Sequence, residues 1–327
     1  TTNTPQVTTN TPQVTTNTPQ VTTNTPDLSV HTISSQIDLN NYKKFEHTNI
    51  ILADDSDITY IPDNKFQYNA NLQSITIPSS VTTIGNHAFS YCKKLESIPI
   101  PNSVTTIGNH AFSYCKLLKS ITIPNSVTTI GTSTFSYCEM LKSITIPNSV
   151  TKIGGYAFIE CISLESITIP SSVTTIGYAA FLKCNLLKTI IIPISSSLTK
   201  IGDYAFHKCI SLESITIPNS LIIIGNYAFQ NCKKLESITI HISSSLTKIG
   251  EGAFGYCEKL KSITIPSSVT TIGNYAFQNT LIGVCDIKIN TSADMTYTGD
   301  GTECVKMSPV MTNTTAFPGG TTTSTSA

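Results

Sequence analysis

The chain has 327 residues, of which 50 are Thr, 44 are Ile and 38 are Ser, and its 20 lysines balance 20 acidic residues without any arginine. This neutral balance excludes a DNA or RNA binder, because phosphate recognition requires a basic surface. No apolar run approaches the roughly 18 residues of a membrane span. The hydrophobic share of 39% is enough for a large core, so the composition predicts a folded protein whose surface is polar mainly through hydroxyl groups.

The first 65 residues divide into two parts. Residues 1–21 are three copies of Thr-Thr-Asn-Thr-Pro-Gln-Val, so residues 1–26 are predicted to form an extended, disordered stalk rich in Thr and Pro. Residues 27–65 carry a degenerate coil, because Ile58-Thr-Tyr-Ile61 falls in the register of Val81-Thr-Thr-Ile84. An atypical coil is expected at the end of a repeat array, where it covers the open core, so residues 27–65 are predicted to be an N-terminal cap.

Residues 66–276 contain nine copies of one unit, which begin at Phe66 and at each equivalent phenylalanine up to Phe254. A column of eight cysteines marks the period. Cys92, Cys115, Cys138, Cys161 and Cys184 are each 23 residues apart, and Cys209, Cys232 and Cys257 follow at spacings of 25, 23 and 25. A fixed period of this length is typical of a solenoid.

Each unit has eight apolar or small positions, which are too few to form a core alone. In the second unit, Leu95–Ile100 is predicted to be a short strand with its two isoleucines on one face. Pro101-Asn102-Ser103 and Gly108 supply bends, and Asn109–Cys115 is predicted to form one helical or 3₁₀ turn. Stacked coils about 4.8 Å apart would share one core and give a solenoid roughly 40 Å long.

The chain after the repeats is predicted to form a C-terminal cap at 277–307, with a last strand at Cys285–Ile289, and a Thr/Ser/Gly-rich tail at 308–327. Cys285 and Cys304 lie outside the cysteine column, and a disulfide between them would fasten this cap in an oxidising compartment. Asn290 and Asn313 begin glycosylation sequons outside the packed array and are candidate glycan sites.

The repeated unit resembles a known class. The pattern is Phe-x-x-Cys-x-x-Leu-x-x-Ile-x-Ile-Pro-x-Ser-Val-x-x-Ile-Gly-x-x-Ala-Phe, and the segment from Phe112 to Gly131 is a clean instance. It resembles the BspA-like class of leucine-rich repeats. The resemblance implies an α/β solenoid, a superhelix with a parallel β-sheet on its concave face and short turns or 3₁₀/helical segments on its convex face. Members of the class are surface-exposed or secreted proteins of anaerobic bacteria and parasitic protists, and several are adhesins.

Exposed strand positions form columns of hydroxyl groups on the predicted concave face, where solenoids usually bind ligands. The candidate ligand-binding residues are Ser97, Ser120, Thr122, Ser143, Thr145, Ser166, Thr168, Ser214, Thr216, Ser237 and Thr239. Ordinary β-propensity on a solvated face explains the same residues without a ligand. A regular array of Thr also suits an ice-binding surface, although the curvature of a concave face opposes this interpretation.

No group of residues predicts catalysis, a cofactor or a metal. Stacked coils point the Cβ atoms of the cysteine column in parallel, whereas a disulfide needs them to converge, so these thiols are predicted to be buried and inert. His87 and His110 occupy equivalent positions and could share a metal, but Tyr fills this position in other units, which favours an aromatic ridge. Motifs typical of hydrolases, phosphate-binding loops and zinc proteases do not occur.

The sequence therefore predicts a non-enzymatic binding protein, extracellular or at a cell surface, that adheres to a protein or glycan through the concave face. Host extracellular matrix is a candidate partner, and neither nucleic acid nor a membrane span is expected. An intracellular leucine-rich-repeat scaffold in the cytoplasm is the main alternative, because it would keep the eight cysteines reduced. A structural spacer without any ligand is a further alternative.

Overall fold

The structure, a computed structural model, describes residues 30–43, 47–282 and 287–289. The predicted stalk at 1–26, the tail at 308–327 and most of the predicted C-terminal cap lie outside these residues. So do the candidate disulfide between Cys285 and Cys304 and the candidate glycan sites at Asn290 and Asn313.

The described residues contain one helix, α1 (Gln36–Asn41), and two columns of parallel strands. The first column contains β1 (Val30–Ile33), β2 (Asn49–Leu52), β4 (Ser74–Thr76), β7 (Ser120–Thr122), β9 (Ser143–Thr145), β11 (Ser166–Thr168), β13 (Thr189–Ile191), β15 (Ser214–Ile217), β17 (Ser237–Ile240), β19 (Ile263–Ile265) and β21 (Ile287–Ile289). The second column contains β3 (Tyr60–Ile61), β5 (Thr83–Ile84), β6 (Thr106–Ile107), β8 (Thr129–Ile130), β10 (Lys152–Ile153), β12 (Thr175–Ile176), β14 (Lys200–Ile201), β16 (Ile223–Ile224), β18 (Lys248–Ile249) and β20 (Thr271–Ile272). With one second-column strand in each coil, the described chain forms a parallel β-solenoid of ten coils, which confirms the predicted solenoid fold.

The second strand of each coil is a feature that the sequence analysis did not predict as a strand. It has only two residues, an exposed or half-buried one followed by a buried Ile, and in most coils it pairs in register with the same residues of the next coil. Inter-coil hydrogen bonds continue past its end, as when the Gly154 N–H donates to the Ile130 carbonyl at 2.8 Å. Two residues are too short to show a period of two, so only stacking reveals the strand.

The third side of each coil is a run of turns instead of a helix. His87, Phe89 and Tyr91 donate their N–H groups to carbonyls of the next coil at 2.9, 2.8 and 2.7 Å. Ser90 and Cys92, which alternate with them, donate back within their own coil at 3.0 and 3.1 Å. In a helix, successive N–H groups all donate to carbonyls of the same helix. The alternation therefore excludes a continuous helix, and the N–H groups that point outward link the coils directly.

Left-handed residues make this alternation possible. His87 has a φ of 54° and Tyr91 a φ of 64°, and equivalent positions in the other coils repeat these values. A side chain at such a φ is strained by about 1 kcal/mol or more, and it persists only where surrounding bonds fix the backbone. Here the inter-coil hydrogen bonds of the same segment fix it.

One continuous core runs along the solenoid from Ile33 to Phe277. Its central feature is a stack of phenylalanines, one in each coil, that runs from Phe66 to Phe277 with neighbouring ring centroids 5.0–5.6 Å apart. Because the coils are evenly spaced, every ring has the same kind of neighbours. The core therefore becomes longer along the solenoid axis with each coil and does not become wider.

The predicted registers at the two ends of the array are present. Tyr60 pairs with Thr83 and Ile61 with Ile84, which is the register expected between the degenerate coil and the first repeat. Of the last strand predicted at Cys285–Ile289, Ile287–Ile289 form β21, where Ile287 pairs with Ile263 of β19, and the first two residues lie outside the described ranges.

The strand predicted at Leu95–Ile100 is wrong. This coil has only a single bridge, between Ser97 and Ser120. Pro99 stands where most other coils have Thr, and because proline has no N–H it cannot donate to the neighbouring coil. The ladder of the first column is therefore interrupted at this coil.

Candidate ligand-binding surface

The eleven predicted ligand-binding residues lie on one continuous surface of the first strand column, called here the Ser-x-Thr face. Within each strand the Ser and Thr side chains are exposed and the Ile between them is buried. Ser120 pairs with Ser143 and Thr122 with Thr145, and the same register joins β15 to β17. The structure therefore brings the predicted residues together as parallel rows of hydroxyl groups.

The hydroxyls of this face make no hydrogen bond to any other group in the described part of the protein, which distinguishes them from most Ser and Thr columns elsewhere. A Thr column beside the second strands donates to carbonyls of the preceding coil, as Thr174 does to Thr151 at 3.1 Å. A Ser column after the first strands does the same, as Ser149 does to Val127 at 2.7 Å. Those hydroxyls join the coils, whereas the hydroxyls of the Ser-x-Thr face remain available to solvent or a ligand.

Charged residues border the Ser-x-Thr face on the side where the chain enters the strand. Lys119 pairs with Glu96 of the preceding coil at 2.7 Å, and Glu236 pairs with Lys259, which lies two residues before the border position of the next coil, at 3.1 Å. All four side chains are more than half exposed, so each pair contributes only about 0.2–1 kcal/mol in water. Because its positive and negative side chains are paired, this border, called here the charged margin, carries almost no net charge.

The cysteine column lies inside the core and not on any surface. All eight thiols are free and buried, and each donates to the phenylalanine carbonyl of the preceding coil at 3.1–3.3 Å. Burial raises the pKa of every one of them, to about 12 for Cys161. The thiols stay protonated at neutral pH, so they are poor nucleophiles and poor metal ligands. Cysteine recurs here as a small apolar side chain with a weak donor.

The turn side carries two stacks of aromatic rings. His87 and His110 are parallel with centroids 4.4 Å apart, and burial together with the neighbouring His87 lowers the pKa of His110. Tyr68, Tyr91, Tyr114 and Tyr137 form a second stack with centroids 4.3–4.8 Å apart. This tyrosine stack was missed by the sequence analysis, although the recurrence of Tyr directly before Cys at the 23-residue period is a signal for it.

The described ranges contain neither a metal-binding cluster nor a membrane-spanning helix. No cluster of three or more His, Cys, Asp or Glu side chains able to hold a metal is found there. No helix in the described chain is long and apolar enough to cross a bilayer.

Parallel coils, each closed around Leu, Ile and Phe side chains, define a leucine-rich-repeat solenoid. The family described as the BspA type leucine rich repeat region matches residues 59–188 and 180–298, in six copies. The chain belongs to this BspA-type family, in which the solenoid indicates a binding role.

Solved structures are similar to this chain over most of the solenoid. A leucine-rich repeat protein from Bacteroides ovatus is 31% identical, and the match covers 78% of this chain and 75% of that one with a TM-score of 0.55. A leucine rich repeat protein from T. pallidum is 30% identical over 57% of this chain and 85% of that one, with a TM-score of 0.48. A leucine rich cell surface protein from Faecalibacterium prausnitzii is 28% identical over 80% and 84%, with a TM-score of 0.45. A comparison with curated proteins finds no match.

Proposed function

We propose that this protein is a non-enzymatic adhesin, secreted or held at a cell surface, that binds a protein or glycan partner through the Ser-x-Thr face. The observation that carries the proposal is the contrast between its hydroxyls, which have no partner among the described residues, and the Ser and Thr columns that join the coils. A hydroxyl that the fold does not use and that repeats in register can donate and accept at regular intervals along a ligand.

The repetition of the face suits a ligand that is itself repetitive. The chain has no Trp and no Arg, which are the side chains that most often anchor an interface, so each single contact should be weak. Neighbouring coils repeat the same contact about every 4.8 Å, and linked weak contacts add up through avidity. A glycan chain or an extended segment of an extracellular matrix protein has this repetitive character.

The absence of an enzymatic role is part of the proposal. Leucine-rich-repeat solenoids are generally binding scaffolds, and the eight described thiols, the most nucleophilic groups of the repeats, are buried and protonated. The extracellular location is supported by the resemblance to secreted and surface-exposed members of the family. The cytoplasmic scaffold remains the second candidate, because free thiols persist most readily in a reducing compartment.

Three substitutions in adjacent coils test the face. Changing Thr122, Thr145 and Thr168 to Lys places three like charges along one hydroxyl row. A control variant carries Thr106→Lys and Thr129→Lys on the second strand column, where Thr129 pairs with the natural Lys152 and Thr106 is the equivalent residue of the coil before. Both variants therefore contain three lysines in successive coils, on different faces, although the test variant gains three positive charges and the control gains two.

The measurement is binding to a glycan array and to a panel of immobilised extracellular-matrix proteins, with circular dichroism to confirm that both variants are folded. We expect saturable binding by the unchanged protein and by the control, and a loss of at least tenfold for the Thr122/Thr145/Thr168 variant. Equal binding by all three proteins would move the site away from the Ser-x-Thr face. No saturable binding by any of them would favour a scaffold with other partners or a structural spacer.

A further inference from the structure

Five successive coils in the middle of the array expose an aliphatic side chain at the corner that follows the buried cysteine. These residues, called here the corner stripe, are Leu117, Met140, Ile162, Leu186 and Ile210. Ile162 is half-buried, and the other four are 38–47% exposed. Each lies one or two positions after the cysteine of its coil.

Backbone hydrogen bonds show that the members of the stripe are neighbours. The Met140 N–H donates to the Lys116 carbonyl, next to Leu117, at 3.1 Å. The Leu186 N–H donates to the Ile162 carbonyl at 3.2 Å. Neighbouring coils are about 4.8 Å apart, so the five residues, which alternate between two adjacent positions of the corner, extend over roughly 19 Å along the solenoid.

The fold does not require apolar residues at this corner. In other coils, Lys94, Lys234 and Lys259 occupy the position of Leu117, Met140 and Leu186, two residues after the cysteine. Lys93 and Lys233 occupy the position of Ile162 and Ile210, one residue after it. Single exposed aliphatic residues are ordinary, but a contiguous row that the core does not need marks an interaction surface.

Positive charge bounds the stripe at both ends. The coil before it carries Lys93 and Lys94 at the corner positions, and the coil after it carries Lys233 and Lys234. Lys233 pairs with Glu258 at 2.9 Å, whereas Lys93, Lys94 and Lys234 make no ion pair within the described ranges. Each end of the stripe therefore has lysine charge that this chain does not neutralise.

This arrangement of charge selects the partner. A second copy of the chain, packed stripe against stripe, would bring lysines against lysines in either direction, and like charges at an interface are unfavourable. An extended segment with acidic ends would instead pair its carboxylates with the lysines and its aliphatic centre with the stripe. From the coil of Lys93 to the coil of Lys234 is roughly 29 Å, which about nine residues of extended chain would span.

We propose that the corner stripe docks an extended polypeptide segment of a partner protein, with an aliphatic centre and acidic residues at both ends. This surface lies beside the Ser-x-Thr face, is separated from it by the charged margin, and does not depend on the hydroxyl rows.

An array of random 12-residue peptides tests the proposal with the full chain as the probe. The disrupting variant is Met140→Lys with Leu186→Lys. Lysine occupies the equivalent position in other coils, as Lys94 and Lys234 show, so both substitutions should be compatible with the fold. The control is Ile222→Lys with Ile242→Lys, which removes two other exposed aliphatic side chains away from the corner. A third variant, Lys93→Ser with Lys94→Ser and Lys234→Ser, removes the unpaired charge and leaves the stripe unchanged.

We expect the unchanged protein and the control to select peptides with aliphatic centres and acidic ends, and the disrupting variant to bind them at least tenfold more weakly. The lysine-to-serine variant should keep the preference for aliphatic centres and lose the preference for acidic ends. No enrichment above background, enrichment without acidic ends, or equal binding by the disrupting variant would overturn the proposal. Sedimentation of the unchanged protein provides a separate check, because a dimer that Met140→Lys and Leu186→Lys dissolve would identify a second copy as the occupant.

Discussion

Two adjacent glycines predict opposite responses to the same substitution. A Cβ at Gly154 would lie 2.6 Å from the Gly131 carbonyl carbon and 2.8 Å from the Thr132 nitrogen, both backbone atoms of the preceding coil. A Cβ at Gly155 would lie 3.4 Å from its nearest neighbour, the backbone carbonyl oxygen of Tyr178, which is an ordinary contact. Gly154→Ala should therefore force two coils apart, whereas Gly155→Ala should fit.

The size of the effect follows from the distances. The 2.6 Å approach at Gly154 is 0.8 Å shorter than the 3.4 Å at which contact becomes ordinary. Opening the coils by this amount would stretch the 2.8 Å bond from the Gly154 N–H to the Ile130 carbonyl beyond hydrogen-bonding range. Overpacking and one weakened buried hydrogen bond together should cost about 2–4 kcal/mol. Gly155→Ala should be neutral or stabilise by up to about 1 kcal/mol, because alanine restricts the unfolded chain.

Urea denaturation followed by circular dichroism measures both variants against the unchanged protein. Because the coils contact only their neighbours, a weakened junction in the middle of the array should also broaden the transition of Gly154→Ala. A free energy of unfolding for Gly154→Ala within 0.5 kcal/mol of that for Gly155→Ala, about the scatter of neutral surface changes, would refute the close-contact argument.

Three further predictions concern the turns, the thiols and one histidine. Ala179 and Ala180 are both buried, but only Ala179 has a positive φ, of 49°. Ala179→Gly should therefore relieve backbone strain and raise the free energy of unfolding by up to about 1 kcal/mol, whereas Ala180→Gly should lower it. Equal losses in the two variants would contradict the assigned strain. Burial raises the pKa of all eight thiols, to about 12 for Cys161. A thiol reagent at pH 8 should therefore modify these thiols only as fast as the protein unfolds. Labelling of the whole column within seconds would show that the folded protein exposes the thiols. Burial, with Lys208 and Lys183 nearby, lowers the pKa of His207 to about 4, so the unfolded chain takes up a proton near pH 6.5 that the folded protein takes up only near pH 4. The free energy of unfolding should therefore fall as the pH drops from 6.5 to 4, His207→Gln should remove part of that fall, and an NMR titration of His207 with a midpoint above pH 6 would contradict it.

The period of the sequence predicted the architecture because every unit repeats the same apolar positions. The cysteine spacing and the buried isoleucines were sufficient to place the coils in register, and the pairing of Ile61 with Ile84 confirms that register even in the degenerate coil. The exposed Ser and Thr positions followed from the alternation of the first strand. Pro99 shows the limit of the period, because one residue without an N–H removes a strand that the repeat predicts.

The sequence by itself determined the solenoid, its core residues and the rows of the Ser-x-Thr face, since these depend on spacing and hydrophobicity. Only the tertiary structure decided what each hydroxyl, glycine and thiol does. The Ser149 hydroxyl bonds to the preceding coil and the Ser143 hydroxyl does not, although both belong to regular serine columns. A Cβ at Gly154 would clash with backbone of the preceding coil, whereas a Cβ at Gly155 would make only ordinary contacts with Tyr178. The physical reason is that these roles are contacts between coils, and neither composition nor period specifies which atom of one coil faces which atom of the next.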